Sequence, residues 1–187
     1  MRLFPRLLSL GAAAAAAVAF GLLAASAAQA APPGVVFVSS ANGNVFVQRG
    51  DSGVLEPVAV NAPLMVGDTI VTEPGARAAI DVDSGHVVRL GPGSHLRLAR
   101  LERRHNLFQL ASGTAGLGVV RDPADYTLIE TPSAQIEPTQ VGYSSVVLLP
   151  NGRTAVTVRS GRDAILLPQG PQYLIPGNTL DVWGPPT

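Results

Sequence analysis

The apolar residues of this chain come in short runs, and that limits its fold more than any other feature. From Val35 onward the runs are broken by Gly, Pro, Asn or Asp every six to twelve positions, and nowhere does a 3.6-residue stripe persist for three turns. The pattern predicts an all-β chain. Many short strands joined by corners at nearly even spacing suit a short-strand β-solenoid or a twisted two-sheet sandwich, and the pattern leaves both open.

Local turn chemistry sharpens parts of this. Val35-Val36-Phe37-Val38 and Val45-Phe46-Val47 flank Ala41-Asn42-Gly43-Asn44 and predict a first hairpin, because Asn-Gly supplies the positive φ angles of a tight turn. Val146 to Val158, turning on Asn151-Gly152, predicts a second. Between them, Thr69 to Thr72, Ala76 to Val82, Val87 to Leu90 and His95 to Leu98 are separated by Glu73-Pro74-Gly75, Asp83-Ser84-Gly85 and Gly91-Pro92-Gly93-Ser94. Leu98 to Leu110 is the one segment that also fits a helical wheel, but Asn106-Leu107-Phe108-Gln109-Leu110 alternates as a strand does. A short irregular crossing followed by a strand is expected there.

The first thirty residues carry a different signal. Arg2 and Arg6 precede an unbroken apolar run that closes on Ala28-Gln29-Ala30, the small-x-small pattern of a secretory cleavage site. Residues 1–30 are therefore expected to be a signal peptide, 31–183 one β domain and 184–187 a flexible tail, with the mature chain periplasmic or secreted. An uncleaved anchor is the alternative, since Leu7 to Ala28 is nearly long enough to cross a bilayer. The Pro32-Pro33-Gly34 break favours cleavage, which would leave no membrane span, and no Cys follows the run to carry a lipid. Without residues 1–30, 157 of the 187 residues remain, enough for a core that needs no covalent staples. The chain has no Cys, which excludes disulfides, Cys-ligated zinc and thiol chemistry. Eleven Arg against 13 acidic residues remain in that part, so no global field favours nucleic acid.

Chemistry-bearing constellations are sparse. His86, His95 and His105 lack ligand spacing and are expected to be surface or turn histidines. Asp81 and Asp83 are too isolated for a metal or glycosidase site. Gly113-Thr114-Ala115-Gly116-Leu117-Gly118 has the wrong glycine order for a dinucleotide loop and suits strand packing or a bulge. Ser144 and Ser145 lack a nucleophile elbow. Arg49-Gly50-Asp51 matches an adhesion tripeptide but falls in an expected hairpin loop. Arg97, Arg100, Arg103, Arg104 and His105 form the one charge concentration, and two-point Arg contacts would suit an anion-facing or protein-facing patch. No enzyme, metal or cofactor is expected.

Leu64-Met65-Val66-Gly67-Asp68-Thr69-Ile70-Val71-Thr72 resembles the core of the FecR domain, L-x-x-G-D-x-h-x-T with h apolar. The resemblance continues through Ala76 to Val82, Gly85 and Val88-Arg89-Leu90-Gly91-Pro92-Gly93-Ser94-His95-Leu96-Arg97-Leu98. Phe108 to Gly113, Ile129-Glu130-Thr131-Pro132 and Val156-Thr157-Val158-Arg159-Ser160-Gly161 are similar to its later steps. Gly67, Asp68, Thr72, Gly85, Pro92, Ser94, Gly113, Thr131, Pro132 and Gly161 are thus the motif positions, and the similarity runs from about residue 35 to 180. It implies a periplasmic β-rich module, solenoid-like in character, that takes part in cell-surface signalling. In the best-known members the module follows a cytoplasmic anti-sigma segment and a membrane span. Here no cytoplasmic anti-sigma segment ahead of the export signal and no C-terminal extension to meet a transporter are expected, and the G-T-x-F of the family is lost near Gly142-Tyr143. The family has no catalytic residues to carry over.

The expectation is a non-enzymatic exported FecR-like interaction module of the cell envelope, binding an envelope protein or a cell-wall glycan through an exposed sheet edge or the Arg97 to Arg104 patch. The alternative is a structural β protein that self-assembles or adds strands to a partner. Gly67-Asp68 is expected to form a turn in which the Asp side chain caps nearby backbone N–H groups.

Overall fold

A computed structural model describes residues 36–82, 85–102, 105–121 and 126–184. Fifteen strands alternate core-facing and outward-facing side chains, and no helix occurs among the described residues. Seven strands make sheet I, in the order β1 (Val36–Asn42), β5 (Arg77–Val82), β6 (His86–Leu90), β8 (His105–Val119), β11 (Gly142–Leu148), β12 (Thr154–Ser160) and β15 (Thr179–Val182). Sheet II runs β3 (Leu55–Pro57), β2 (Val45–Gln48), β4 (Thr69–Thr72), β7 (His95–Glu102), β8 again, β9 (Tyr126–Glu130), β10 (Gln135–Pro138), β13 (Asp163–Leu166) and β14 (Gln172–Leu174). All pairs are antiparallel except β8 with β9. Neither sheet closes.

Both architectural expectations meet in this arrangement. Val38, Ile80, Val88, Leu117, Val146 and Val156 of sheet I share one core with Ile70, Leu96, Phe108, Ile129, Ile136 and Ile165 of sheet II, which is sandwich packing. Yet strand order follows chain order through sheet I and, apart from the β2/β3 exchange, through sheet II, which is solenoid-like progression. The chain makes a hairpin in one sheet, turns a corner and makes the next hairpin in the other.

Two local expectations need correcting. The Asn42-Gly43 turn is not a hairpin: β1 pairs with β5 and β2 with β3 and β4, so this turn is a corner between sheets. A tight turn has the same local chemistry in either role, and only the pairing partners distinguish them. The described residues of Leu98 to Leu110 are strand in place of the expected irregular crossing, β7 running to Glu102 and β8 starting at His105. The second predicted hairpin forms, with Leu148 opposite Thr154 and the Leu149 N–H donating to the Arg153 carbonyl at 2.9 Å.

One strand ties the sheets together. Residues 105–112 of β8 pair with β7 in sheet II, and 113–119 pair with β11 and β6 in sheet I. The change of sheet falls at Gly113, whose φ of 83° is in the left-handed region. A Cβ there would lie 2.6 Å from Ser94 Cα and 2.7 Å from the Gly93 carbonyl oxygen. Further along, Gly116 and Gly118 leave room for the Tyr143 ring, over which the Arg89 guanidinium sits at 5.9 Å. The glycine-rich run therefore serves strand crossing and packing.

Gly113→Ala is expected to cost about 3 kcal/mol or more in urea unfolding, combining backbone strain with overlap. Gly53→Ala, at φ 69° but with nothing within 4 Å of the added carbon, is the control and should cost about 1 to 2 kcal/mol.

Candidate functional site

The motif positions build the corners. Asp68 is 4% exposed, and its carboxylate accepts from the Met65 N–H at 3.0 Å, the Gly50 N–H at 3.0 Å and Arg49 Nη1 at 2.9 Å. The hydrogen bond from Arg49 to Asp68 raises the Arg49 pKa. The Gly67 N–H donates to the Leu98 carbonyl and the Leu98 N–H to the Asp68 carbonyl, sewing the turn to β7. Arg49 and Gly50 of the adhesion-like tripeptide are thus engaged internally. Met65 and Val66, exposed beside them, border an open hollow of about 450 Å³.

Thr72 and Ser94 are buried where β4 and β7 meet the crossing strand. Thr72 Oγ1 donates to the Gly91 carbonyl at 2.6 Å and accepts from the Ser94 N–H at 2.9 Å. Ser94 Oγ accepts from the Thr114 N–H at 2.9 Å and lies within hydrogen-bond reach of the Gly91 and Thr114 carbonyls. Thr131 repeats the device: its hydroxyl donates to the Ala134 carbonyl and accepts from the Ala134 N–H and from Thr154 Oγ1. Pro92 and Pro132 are exposed in turns, the Gly85 carbonyl accepts from the Val120 N–H, and a Cβ at Gly161 would meet the Val141 carbonyl at 2.6 Å. These hydroxyls are engaged by backbone groups and, at Thr131, also by the Thr154 hydroxyl.

The arginine patch has a different character. A bulge between Leu98 and Arg100 breaks the alternation of β7, so Arg97 and Arg100, three apart in sequence, both stand on the outer face of sheet II. Arg100 pairs loosely with Glu102 at 3.8 Å, both side chains more than half exposed. The His105 ring stacks on Tyr126, centroids 5.4 Å apart and planes 9° apart. Arg103 and Arg104 lie outside the described residues, as do residues 1–30 of the expected signal peptide, Asp83 and 185–187 of the expected tail.

Around Arg97 the pairing brings together residues that sequence spacing did not single out. Gln48, Thr69, Arg97, Gln109, Glu130 and Gln135 stand opposite one another on six successive strands, and none is buried. Gln109 Nε2 and Gln135 Nε2 each donate to a Glu130 oxygen at 2.7 Å. The result is a polar ladder across the sheet, about 24 Å long at about 4.8 Å per strand. Beyond Gln109 and Glu130, β8 bends away into sheet I. A hollow of about 280 Å³ opens there, bordered by Ala111, Thr131 and Pro132.

Of the histidines, His95 and His105 are exposed on strands, whereas His86 is 4% exposed in β6, against the expectation of a surface or turn position. Asp81 accepts a hydrogen bond from Ser39 Oγ at 2.9 Å. No group of three His, Asp or Glu side chains able to hold a metal occurs among the described residues. Asp163 is 2% exposed at the start of β13, and burial raises its pKa while a hydrogen bond from Ser144 of sheet I opposes the shift.

Residues 68–162 match the family described as FecR protein. Two crystal structures of a proposed anti-sigma factor from Parabacteroides distasonis ATCC 8503 share the fold, each with a TM-score of 0.51, at 22% and 21% identity. The match covers 63% of this chain and 60% of theirs, so the chain spans well under two thirds of the length of those structures. No curated protein matches the sequence.

Asp68→Ala, which strands Arg49 and two amides, should cost about 2 to 3 kcal/mol in urea unfolding, and Asp68→Asn less; a change below about 0.3 kcal/mol would remove the capping role. For Asp163, a folded-state pKa above the ordinary 3.8 means the folded protein binds that proton more readily than the unfolded chain. Its contribution to stability is complete below the unfolded value and is lost as pH rises through the folded one. Asp163→Asn should therefore stabilise the protein at about pH 7 and give no gain below about pH 4, followed by urea unfolding across pH. A pH-independent gain would contradict the assignment.

Proposed function

We propose, from the premise that this chain belongs to the FecR protein family, that it is an exported, non-enzymatic interaction module of the cell envelope, acting in signalling or sensing. Residues 1–30 are its export signal, cleaved near Ala30, and the mature chain works in the periplasm or outside the cell. Its binding surface is the outer face of sheet II, where it meets an envelope protein or a cell-wall glycan.

The observation that carries this reading is the bulge in β7, which sets Arg97 and Arg100 on one face beside the Gln109, Glu130 and Gln135 ladder. Arg offers two-point contacts to carboxylate or phosphate, and the amides retain donors and acceptors for peptide or sugar groups. The buried hydroxyls of the corners support the non-enzymatic part of the proposal, since their partners are backbone groups and, at Thr131, another hydroxyl of the fold itself. No helix among the described residues is long and apolar enough to cross a membrane.

The test passes purified protein over immobilised envelope extract and, separately, over cell-wall glycan. Native protein should be retained on one of them, and Arg97→Ala/Arg100→Ala should lose about tenfold or more in affinity, as expected for the loss of two charged hydrogen-bonding groups. Retention of the double variant equal to native would show that this face is not the one used.

A further inference from the structure

The two sheets have four outer edges, and three of them are protected. The β1 edge of sheet I is covered by the segment 61–64: the Val38 N–H donates to the Ala62 carbonyl, the Asn61 N–H to the Val38 carbonyl and the Leu64 N–H to the Val36 carbonyl. The β3 edge of sheet II is three residues long and ends in Pro57, which has no N–H to offer. The β14 edge is equally short and lies between Pro171 and Pro176. These are the usual means of blunting a sheet edge. The fourth edge, β15, is also short at four residues, but it has no proline within or directly beside it, and among the described residues no backbone segment covers it.

The pairing of β15 with β12 defines what its free side presents. The Val158 N–H donates to the Asn178 carbonyl, and the register sets Leu180 opposite Val156 and Val182 opposite Thr154. By alternation the backbone groups of Leu180 and Val182 face β12, while those of Thr179 and Asp181 face outward. No backbone hydrogen bond to Thr179 or Asp181 from the outer side occurs among the described residues. Side chains at this edge are also incompletely covered. Leu180 and Val182 pack against the core but stay half-buried, and Trp183 is 64% exposed beneath the Arg153 guanidinium at 5.3 Å.

We infer that β15 is an assembly edge on which a second copy of this chain adds antiparallel about a two-fold axis, joining two copies of sheet I into one continuous sheet. The strand is self-complementary in one register. With the axis at Leu180, Thr179 of each copy faces Asp181 of the other, so the four outward backbone groups on each strand find partners. Leu180 then meets Leu180 of the second copy as a non-hydrogen-bonded pair on the core face. Moving the axis to Asp181 would oppose two carboxylates, and a one-residue slip would turn Leu180 and Val182 outward. Charge does not oppose the approach, because Arg153 Nη1 holds Asp181 at 3.1 Å within the same copy.

The chain has no Cys, so single cysteines report this register without background. Leu180→Cys should give a disulfide-linked dimer under mild oxidation, since a non-hydrogen-bonded pair sets its Cα atoms about 4.5 Å apart, within disulfide reach. Thr179→Cys and Asp181→Cys, each opposite the other position rather than itself, should give no disulfide-linked dimer. Sedimentation of charge variants gives a second readout with an opposite sign for each: Thr179→Asp, facing Asp181, should weaken the dimer about tenfold, and Thr179→Lys should tighten it. Both variants lose the same hydroxyl contact with Thr157, so a merely local disturbance would move them together. Equal crosslinking at all three positions, a strict monomer at high concentration, or capture of a different protein in place of a second copy would each overturn the inference.

Discussion

The fold depends on getting one strand from one sheet into the other. A strand that changes sheets has to bend sharply without leaving amides and carbonyls unpaired, and β8 does this at Gly113 against the backbone of Gly93 and Ser94. The Ser94 hydroxyl sits at the bend and accepts from Thr114, the first amide beyond it, while Thr72 holds Ser94 from behind. Each side chain replaces backbone pairing that the bend interrupts, which a buried corner requires. The alternating hairpins on either side can share a core only because this crossing fixes the two sheets face to face.

This assigns different work to the two kinds of residue that stand out. Asp68, Thr72, Ser94, Thr131 and Gly161 are turned inward and used up by the scaffold. Arg97, Arg100, Gln109, Glu130 and His105 lie on the outer face of sheet II, where substitution changes the surface and leaves the corners intact. A scaffold held by internal hydroxyls leaves its outer face free to serve different partners, and its motif alone does not identify them.

The sequence made the fold class legible because strand periodicity and turn residues are local signals: the Asn151-Gly152 hairpin and the Gly67-Asp68 turn both follow from neighbouring residues. What it could not show depends on pairing. Asn42-Gly43 has the same chemistry as Asn151-Gly152, yet one is a corner and the other a hairpin, because β1 finds its partner in β5. The β7 bulge leaves no mark in the Arg97 to Arg100 spacing, although it decides which face those side chains share. Tyr126 reaches His105 only through the parallel β8/β9 pair, across 21 positions of sequence, and Glu130 meets Gln109 in the same way.

The near agreement between spatial order and chain order has a kinetic consequence. Most sheet proteins must bring distant segments together before any sheet is complete, which slows folding and leaves apolar strands exposed meanwhile. Here each new hairpin lands on strands that the preceding chain has already laid down, from β1 and β2 at one end to β14 and β15 at the other. A chain delivered from its N-terminus can therefore fold at the rate it arrives, with one growing front and no need to wait for its C-terminus. Shortening it from the C-terminal end should remove layers in order and spare those beneath.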